Sequence, residues 1–446
     1  MIEAIEAETM TEPNLELSEL EERLRQISHQ VDSGYELESK QGIDDFIKGL
    51  PEANNYAVLI PKIHSILSRI VHGKELTLYE CGLAEILLEH QDTESTDKAI
   101  ELLKNALEWA ERDADQSMRL WVTNLLVEAY SQSNAHKHLE SAIEDCISMH
   151  EALDTDNEDI LSELYLQLGE TQVKLFKLED AEASFEKCVE LSSDSLNKSD
   201  EILVKATIQL TELLHQKGEE ILALQKIESI ASKVRDSSEE NPTLLPELML
   251  RQAALLRKEN GADARNLLYE ADQFISASVY KDSQKLAYHL KLLGSAYSDF
   301  GNFDRAKESL SRSLDITYDC SKGEDKSAIS EGLFSLIKLY SQFKMPEEMQ
   351  VYFQKYLALI EQLDSNIETY AAAGKTAPLV EKLGLYEQAD KLWDKLESLA
   401  KEPPQIVFIV NTLEEILPTV HQQNADRSEL LVKRLEELKA RMATSS

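Results

Sequence analysis

The stretch YLQLGETQVKLFKLEDAEASFEKCVEL, residues 165–191, decides the fold. Its second half places Ala181, Phe185 and Cys188 at offsets of 0, 4 and 7, the spacing of one face of an α-helix. An alanine or its substitute returns with this spacing at intervals of 40 to 43 residues. The residues at the first position of this series in the eight successive units are Ala99, Leu139, Ala181, Ala223, Ala264, Ala306, Met349 and Ala389. Self-similarity at a nearly fixed period predicts a solenoid.

The composition agrees with a fold made of helices. The 446 residues include only 14 glycines and 10 prolines, and aromatic residues make up 6%. Sandwiches and barrels need turn residues every 8–12 positions or so, and this chain does not supply them. A solenoid also explains how so long a chain can do without one large core, since each unit packs only on its neighbours. The predicted class is all-α.

The first half of each unit supplies a second motif. Tyr165, Leu168 and Gly169 precede Ala181, and Leu293 with Gly294 stand in the same place in a later unit. A glycine here lets the two helices of a hairpin approach closely. The glycines predicted to form the turns between paired helices are Gly218, Gly261, Gly301 and Gly384.

These residues resemble the tetratricopeptide repeat, W-x2-L-G-x2-Y followed by A-x3-F. Eight units in one register carry the resemblance, although the tryptophan and the closing proline are mostly absent. The period of about 42 residues resembles the subclass found in kinesin light chain and in Pins-type scaffolds. The resemblance implies a right-handed α-solenoid of about eight helical hairpins with helical caps.

Four segments are predicted along the chain. Residues 1–40 form an acidic segment, disordered over 1–13, with one amphipathic helix that carries the apolar stripe from Leu17 to Val31. Residues 41–75 form N-terminal capping helices, 76–402 the repeat array, and 403–446 C-terminal capping helices that begin after Pro403 and Pro404.

The charge narrows the class of partner. A protein with a net charge of −37 is repelled by phosphate backbones and by anionic membranes, which argues against nucleic acid and lipid as ligands.

The four scattered cysteines form no CxxC pair, as expected in a reducing compartment. The first residues lack the features of a signal peptide, and no apolar run reaches 18 residues. We expect the protein in the cytoplasm or the nucleus.

No catalytic or metal-binding motif stands out. Gly374-Lys375-Thr376 lacks the earlier glycine of a phosphate-binding loop, because Thr369 occupies that position. His136 and His138 have no further ligand at metal spacing. The sequence therefore predicts neither an enzyme nor a cofactor or metal site.

Binding is expected in the concave groove, which the first helices of the hairpins line in this family. Glu128, Glu170 and Glu212 occupy one repeat position in three consecutive units, so they are predicted to form an acidic ladder. The other predicted polar groove residues are Asn124, Glu163, Lys205, Arg257, Lys291 and Lys338. The predicted apolar anchors are Leu166, Ile208, Met249 and Phe334.

The resemblance also suggests one specific ligand to consider, the C-terminal peptide of Hsp70 or Hsp90. Repeat proteins of this family hold that carboxylate with lysine, asparagine and arginine side chains at defined positions. The corresponding positions of the first three units hold Ala84, Leu88, Leu125, Glu163 and Gln167. None of these is a cation, so the chaperone peptide is not the expected ligand.

The function predicted from the sequence is a non-catalytic scaffold or adaptor that holds a peptide or helix of a partner protein. The acidic ladder favours a basic segment. The alternative is a constitutive structural subunit of a multiprotein complex. An adaptor would be stable alone, whereas a subunit would copurify stoichiometrically with its neighbours.

Overall fold

A computed structural model describes residues 17–48, 58–90, 92–152, 157–194, 200–236, 244–257, 260–277, 283–363, 366–400 and 403–444. All regular secondary structure in these ranges is helical, which confirms the all-α class. Contacts group the chain into two compact units, residues 1–213 and 214–446.

Twenty-one helices follow one another along the described chain. Their bounds are α1 Leu17–Asp32, α2 Glu36–Lys48, α3 Ile60–Ile70, α4 Lys74–Leu88, α5 Thr93–Arg112, α6 Gln116–Gln132, α7 His136–Ala152, α8 Glu158–Lys174, α9 Leu178–Asp194, α10 Asp200–Gln216, α11 Glu220–Asp236, α12 Leu245–Leu256, α13 Gly261–Ala277, α14 Ser283–Asp299, α15 Phe303–Ser321, α16 Lys326–Gln342, α17 Pro346–Ile360, α18 Asn366–Lys382, α19 Tyr386–Leu399, α20 Pro403–Gln423 and α21 Ala425–Thr444.

Consecutive helices pack as pairs, and successive pairs stack within each unit. In the first unit α4 packs on α5, α6 on α7 and α8 on α9. In the second unit the pairs run from α12 with α13 to α20 with α21. Neighbouring pairs contact one another mainly through the second helix of one pair and the first helix of the next, as α15 with α16. Their first helices are also in contact, as α14 with α16 and α16 with α18. This is the repeat solenoid predicted from the period.

The 0-4-7 series forms the core of the pairs. Ala181, Phe185 and Cys188 on α9 have no solvent exposure, and the series members of the other units are also buried. On the second helix of each pair, the residues with this repeated spacing thus face the first helix. Removal of this apolar face from water is the main stabilising term of such helices.

Gly169 and Gly294 lie where paired helices come closest. A Cβ atom added to Gly169 would sit 2.5 Å from the Phe185 ring, and one added to Gly294 would sit 2.6 Å from Leu310. Both contacts are far shorter than van der Waals distance, and Phe185 has no room to move because it is fully buried. The close approach predicted from these glycines is confirmed.

We expect Gly169→Ala to lower the free energy of unfolding by about 1–3 kcal/mol, because the new methyl group overpacks the contact between α8 and α9. The loss occurs although alanine favours a helix over glycine by about 1 kcal/mol. Gly82→Ala is the matched control, since an added Cβ on α4 meets no atom within 4 Å. Urea denaturation followed by circular dichroism measures both changes. Equal behaviour of the two variants would contradict the close packing.

The turn inside the hairpins uses one left-handed residue, five positions before the series residue. Gly218, Gly301 and Gly384 take this conformation with φ between 76° and 80°. Asn134, Phe176 and Lys344 hold the same position in other units with φ between 54° and 60°. Gly261 does not follow the prediction, because it is the first residue of α13 and has no positive φ.

The N-terminal helices pack on the start of the array. Leu20, Leu24 and Ile27 on α1 are buried, and α1 contacts α2 and α3. The predicted amphipathic helix therefore docks on the body of the first unit. The segment 1–13, predicted to be disordered, lies outside the described residues.

At the other end, α20 begins at Pro403 and packs on α21. Leu431, Leu435 and Leu438 on α21 are buried with the same offsets of 0, 4 and 7. Leu431 follows Ala389 by 42 residues, so the spacing of the series continues through this pair. The C-terminal segment predicted as a cap thus has the same internal arrangement as the hairpins before it.

Candidate functional site

A pocket of about 500 Å³ opens on the first helices of two stacked hairpins in the first unit, α6 and α8. We call it the acidic pocket. Its lining residues are Asn124, Val127, Glu128, Ser131, Gln132, Leu139, Ile160, Glu163, Leu164, Gln167, Glu170, Thr171 and Lys174.

Helical spacing brings four predicted residues into the acidic pocket. Asn124 and Glu128 lie four residues apart on α6, and Glu163 and Glu170 lie seven apart on α8. Residues at such spacings share one helix face. All four side chains are exposed and line the same concavity.

The charge of the acidic pocket is unbalanced. Within the part of the chain that the structure describes, Glu128, Glu163 and Glu170 take part in no ion pair. Lys174, at the end of α8, is the only cationic side chain among the lining residues. Burial lowers the pKa of nearby His136, and the charge of Lys174 lowers it further, so this histidine adds no positive charge at neutral pH. Three carboxylates thus face one ammonium group.

Two lining residues add further recognition chemistry. The Sγ–H group of Cys146 donates to Oδ1 of Asn124 at 3.3 Å, which holds the amide of Asn124 in place. Ile160 is 45% exposed and provides an apolar contact. Ile160 and Lys174 were not predicted from the sequence, although both follow from the face of α8 that carries Glu163 and Glu170.

The remaining polar residues of the first unit lie outside the acidic pocket. Glu212 and Lys205 are exposed on α10. Nζ of Lys205 lies 3.8 Å from Oε1 of Glu201. Two members of the predicted acidic ladder therefore share the pocket, and the third does not line it.

Three of the predicted apolar anchors are wrong. Leu166, Ile208 and Met249 are 7%, 5% and 0% exposed, so a ligand in a groove cannot reach them. Each belongs to a first helix that its neighbours cover, and apolar side chains at such seams are removed from water by the packing itself. Phe334 differs, because it is partly exposed and lines a pocket in the second unit.

The predicted cations of the second unit differ in their pairing. Nη1 of Arg257 donates to the backbone oxygen of Asp299 at 3.0 Å, and Nζ of Lys291 lies 2.9 Å from Oε2 of Glu331. Lys338 is exposed on α16, and it has no ion pair among the described residues.

Three of the four cysteines behave as small core residues, and the fourth, Cys320, is exposed. Cys81, Cys146 and Cys188 are buried, and burial raises the pKa of each thiol to about 12. Groups of three or more histidine, cysteine or carboxylate side chains that could hold a metal are absent from the described ranges. Of the helices that the structure describes, none combines the length and the apolar character needed to cross a membrane.

Comparison with known proteins agrees with the repeat assignment. A family model of the tetratricopeptide repeat matches residues 162–195 and 292–320. A search of curated proteins finds no match. Residues 162–195 and 292–320 therefore carry tetratricopeptide repeats, as their sequence motifs predicted.

Several solved structures are similar in fold at low sequence identity. Aspartyl phosphate phosphatase F from Bacillus subtilis is 13% identical, with 88% of this chain and 96% of that chain covered and a TM-score of 0.43. The apo quorum sensor NprR from B. thuringiensis is 13% identical, with 80% and 98% covered and a TM-score of 0.44. A putative kinesin light chain from Podospora anserina is 14% identical, with 46% and 98% covered and a TM-score of 0.38.

Proposed function

We propose that this repeat protein is a non-catalytic interaction scaffold whose acidic pocket receives a basic side chain from a peptide segment of a partner protein. One observation carries the proposal: Glu128, Glu163 and Glu170 line one concavity of about 500 Å³ and have no ion pair among the described residues.

Carboxylates that share a pocket repel one another and concentrate negative potential in the space between them. A lysine or arginine side chain would relieve this repulsion. The aliphatic part of either side chain would pack on exposed Ile160, because such stems bury along apolar surface while the charged end reaches the carboxylates. The side-chain amides of Asn124 and Gln167 are suited to hydrogen bonding with an extended backbone.

The test is a triple charge reversal, Glu128→Lys, Glu163→Lys and Glu170→Lys. Glu163 is chosen over Glu212 because it lines the same pocket. The probe is a capped, fluorescein-labelled Ala-Lys-Leu-Arg-Ala peptide, and fluorescence anisotropy measures its affinity. We expect the reversal to weaken binding at least tenfold, since attraction becomes repulsion. We also expect wild-type affinity to fall as salt is added.

The matched control is Asp97→Lys, Glu101→Lys and Glu111→Lys, which makes the same change in net charge at exposed positions of α5 outside the pocket. This control is expected to bind the probe within about twofold of wild type. Both variants should keep the wild-type melting temperature, because all six side chains are exposed. Equal affinity of the two triple variants, or no binding by the wild type, would refute the proposal.

A further inference from the structure

A second pocket lies in the other unit, on the first helices α14, α16 and α18. It has a volume of about 410 Å³, and we call it the lysine pocket. Its lining residues are Lys291, Leu292, Ser295, Ser327, Ser330, Glu331, Phe334, Ser335, Tyr356, Ala371, Ala372 and Lys375. The small serine and alanine side chains leave room beside the partly exposed ring of Phe334.

The rings make the lysine pocket apolar at its base. Phe334 and Tyr356 lie with ring centroids 6.2 Å apart. The Tyr356 hydroxyl donates to the backbone oxygen of Ala372 at 2.9 Å and lies 2.7 Å from the Thr376 hydroxyl. Burial raises the pKa of Tyr356 to about 12, so the hydroxyl stays protonated and is satisfied within the protein. Tyr356 is only 1% exposed and supports Phe334 from below, so a ligand meets the partly exposed ring of Phe334, which suits an apolar side chain.

The charge at the rim is positive. Burial alone would raise the pKa of Glu331, but the hydrogen bond from Lys291 and the charges of Lys291 and Lys375 lower it overall, so Glu331 is ionised at neutral pH. Lys291 is neutralised by this partner at 2.9 Å. Lys375 is exposed and has no ion pair within the described ranges. The lysine pocket thus carries one surplus positive charge in a chain whose net charge is −37.

From this geometry we propose that the lysine pocket binds a protein segment in which a carboxylate side chain stands next to an apolar side chain. The carboxylate pairs with Nζ of Lys375, and the apolar side chain packs on Phe334. Charge complementarity favours this occupant. A basic segment would be repelled by the unpaired Lys375, and a purely apolar segment would leave the charge of Lys375 without a partner. The ligand chemistry is the reverse of that proposed for the acidic pocket, and the two sites are independent.

The experiment uses the full chain and three capped, fluorescein-labelled peptides: Ala-Asp-Leu-Asp-Ala, the same peptide with serine for aspartate, and the same with lysine. Anisotropy at low salt should show that the aspartate peptide binds the full chain at least tenfold more tightly than the serine peptide. The lysine peptide is compared in the triple variant of the acidic pocket, because in the wild type it would bind that pocket, and in this variant too the aspartate peptide should bind at least tenfold more tightly. Lys375→Glu should weaken it tenfold or more, Lys375→Gln by less, and Phe334→Ala should weaken the aspartate and serine peptides alike.

Lys433→Glu is the matched control, because it reverses an exposed lysine on α21 outside the pocket and should leave affinity unchanged. The triple variant of the acidic pocket should also bind the aspartate peptide normally, which separates failure of one proposal from failure of the other. Equal affinities for the aspartate and serine peptides, or equal effects of Lys375→Glu and Lys433→Glu, would overturn the inference. A peptide with a free C-terminus and no aspartate distinguishes binding of a terminal carboxylate from binding of a side-chain carboxylate. Tighter binding of that peptide than of the aspartate peptide would also overturn it.

Discussion

Trp393→Ala is expected to lower the free energy of unfolding of the second unit by about 3–5 kcal/mol, the usual range for deletion of a large buried aromatic side chain. Trp393 lies on α19 and has no solvent exposure. Its Nε1–H donates to Oε2 of Glu381 on α18 at 3.1 Å. The substitution therefore removes both a large volume from the core and a hydrogen bond to a buried carboxylate.

Hydrogen exchange is the appropriate measurement, because repeat arrays do not always unfold in one cooperative step. Amides of α18 and α19 should lose protection first, while those of the first unit keep theirs. Trp393→Phe is the control: it retains most of the ring volume but lacks the donor, and it should cost less than the alanine variant. If alanine reduced stability by under about 1 kcal/mol, Trp393 would not have the packing role assigned to it.

The sequence was sufficient to predict the register of the fold. Offsets of 0, 4 and 7 identify a helix face without reference to any other part of the chain, so Ala181, Phe185 and Cys188 could be placed in the core directly. The glycine at 169 could be interpreted equally well, because only one physical need, close approach, explains it in the middle of a helix.

The candidate site was predictable only where one helix determines it. Glu163 and Glu170 share a face of α8, and that face reaches the acidic pocket. Leu166 lies between them in sequence, yet it is buried. The neighbouring helix decides whether such a side chain is covered, and periodicity within one helix does not contain that information. The same limit applies to Glu212, whose repeat position matches that of Glu170 although it lies outside the pocket.

A buried ion network in the second unit was not predictable from the sequence at all. Arg427 on α21 donates through Nε to Oε1 of Glu381 at 2.6 Å and through Nη2 to Oε2 at 2.7 Å. It also donates through Nη2 to Oδ1 of Asp390 at 2.8 Å, and its guanidinium group lies 5.1 Å from the centre of the Tyr386 ring. The partners lie 37 and 46 residues away. In sequence, Arg427 is one of many charged residues in the segment that was predicted to form C-terminal capping helices.

Arg427→Met is expected to destabilise the second unit by about 3–5 kcal/mol, because it leaves the carboxylate of Glu381 buried without its cation. The side chains of Arg427 and Glu381 are 6% and 0% exposed, so solvent cannot replace the lost partner. The hydrogen bond to Glu381 raises the pKa of Arg427 above its usual range, so the guanidinium group is charged at neutral pH. The network joins α21 to α18 and α19, and hydrogen exchange should report the loss first in α20 and α21.

The double variant Arg427→Met, Glu381→Leu separates the net contribution of the ion pair to stability from the destabilisation caused by removing only one partner. Replacing a buried ion pair with apolar residues of similar volume is often neutral or stabilising, so the double variant should recover most of the stability that the single variant loses. The recovery should be incomplete, since Trp393 loses its acceptor and Asp390 loses its hydrogen bonds from Arg427 and, among the described residues, keeps only Arg434 at 3.7 Å. Lys433→Met, at an exposed position of the same helix, should change stability by less than about 0.5 kcal/mol. If Arg427→Met were as mild as Lys433→Met, the guanidinium group would contribute no stability to the last hairpin. If the double variant were no more stable than the single one, the unpaired carboxylate of Glu381 would not be the cause of the stability lost in Arg427→Met.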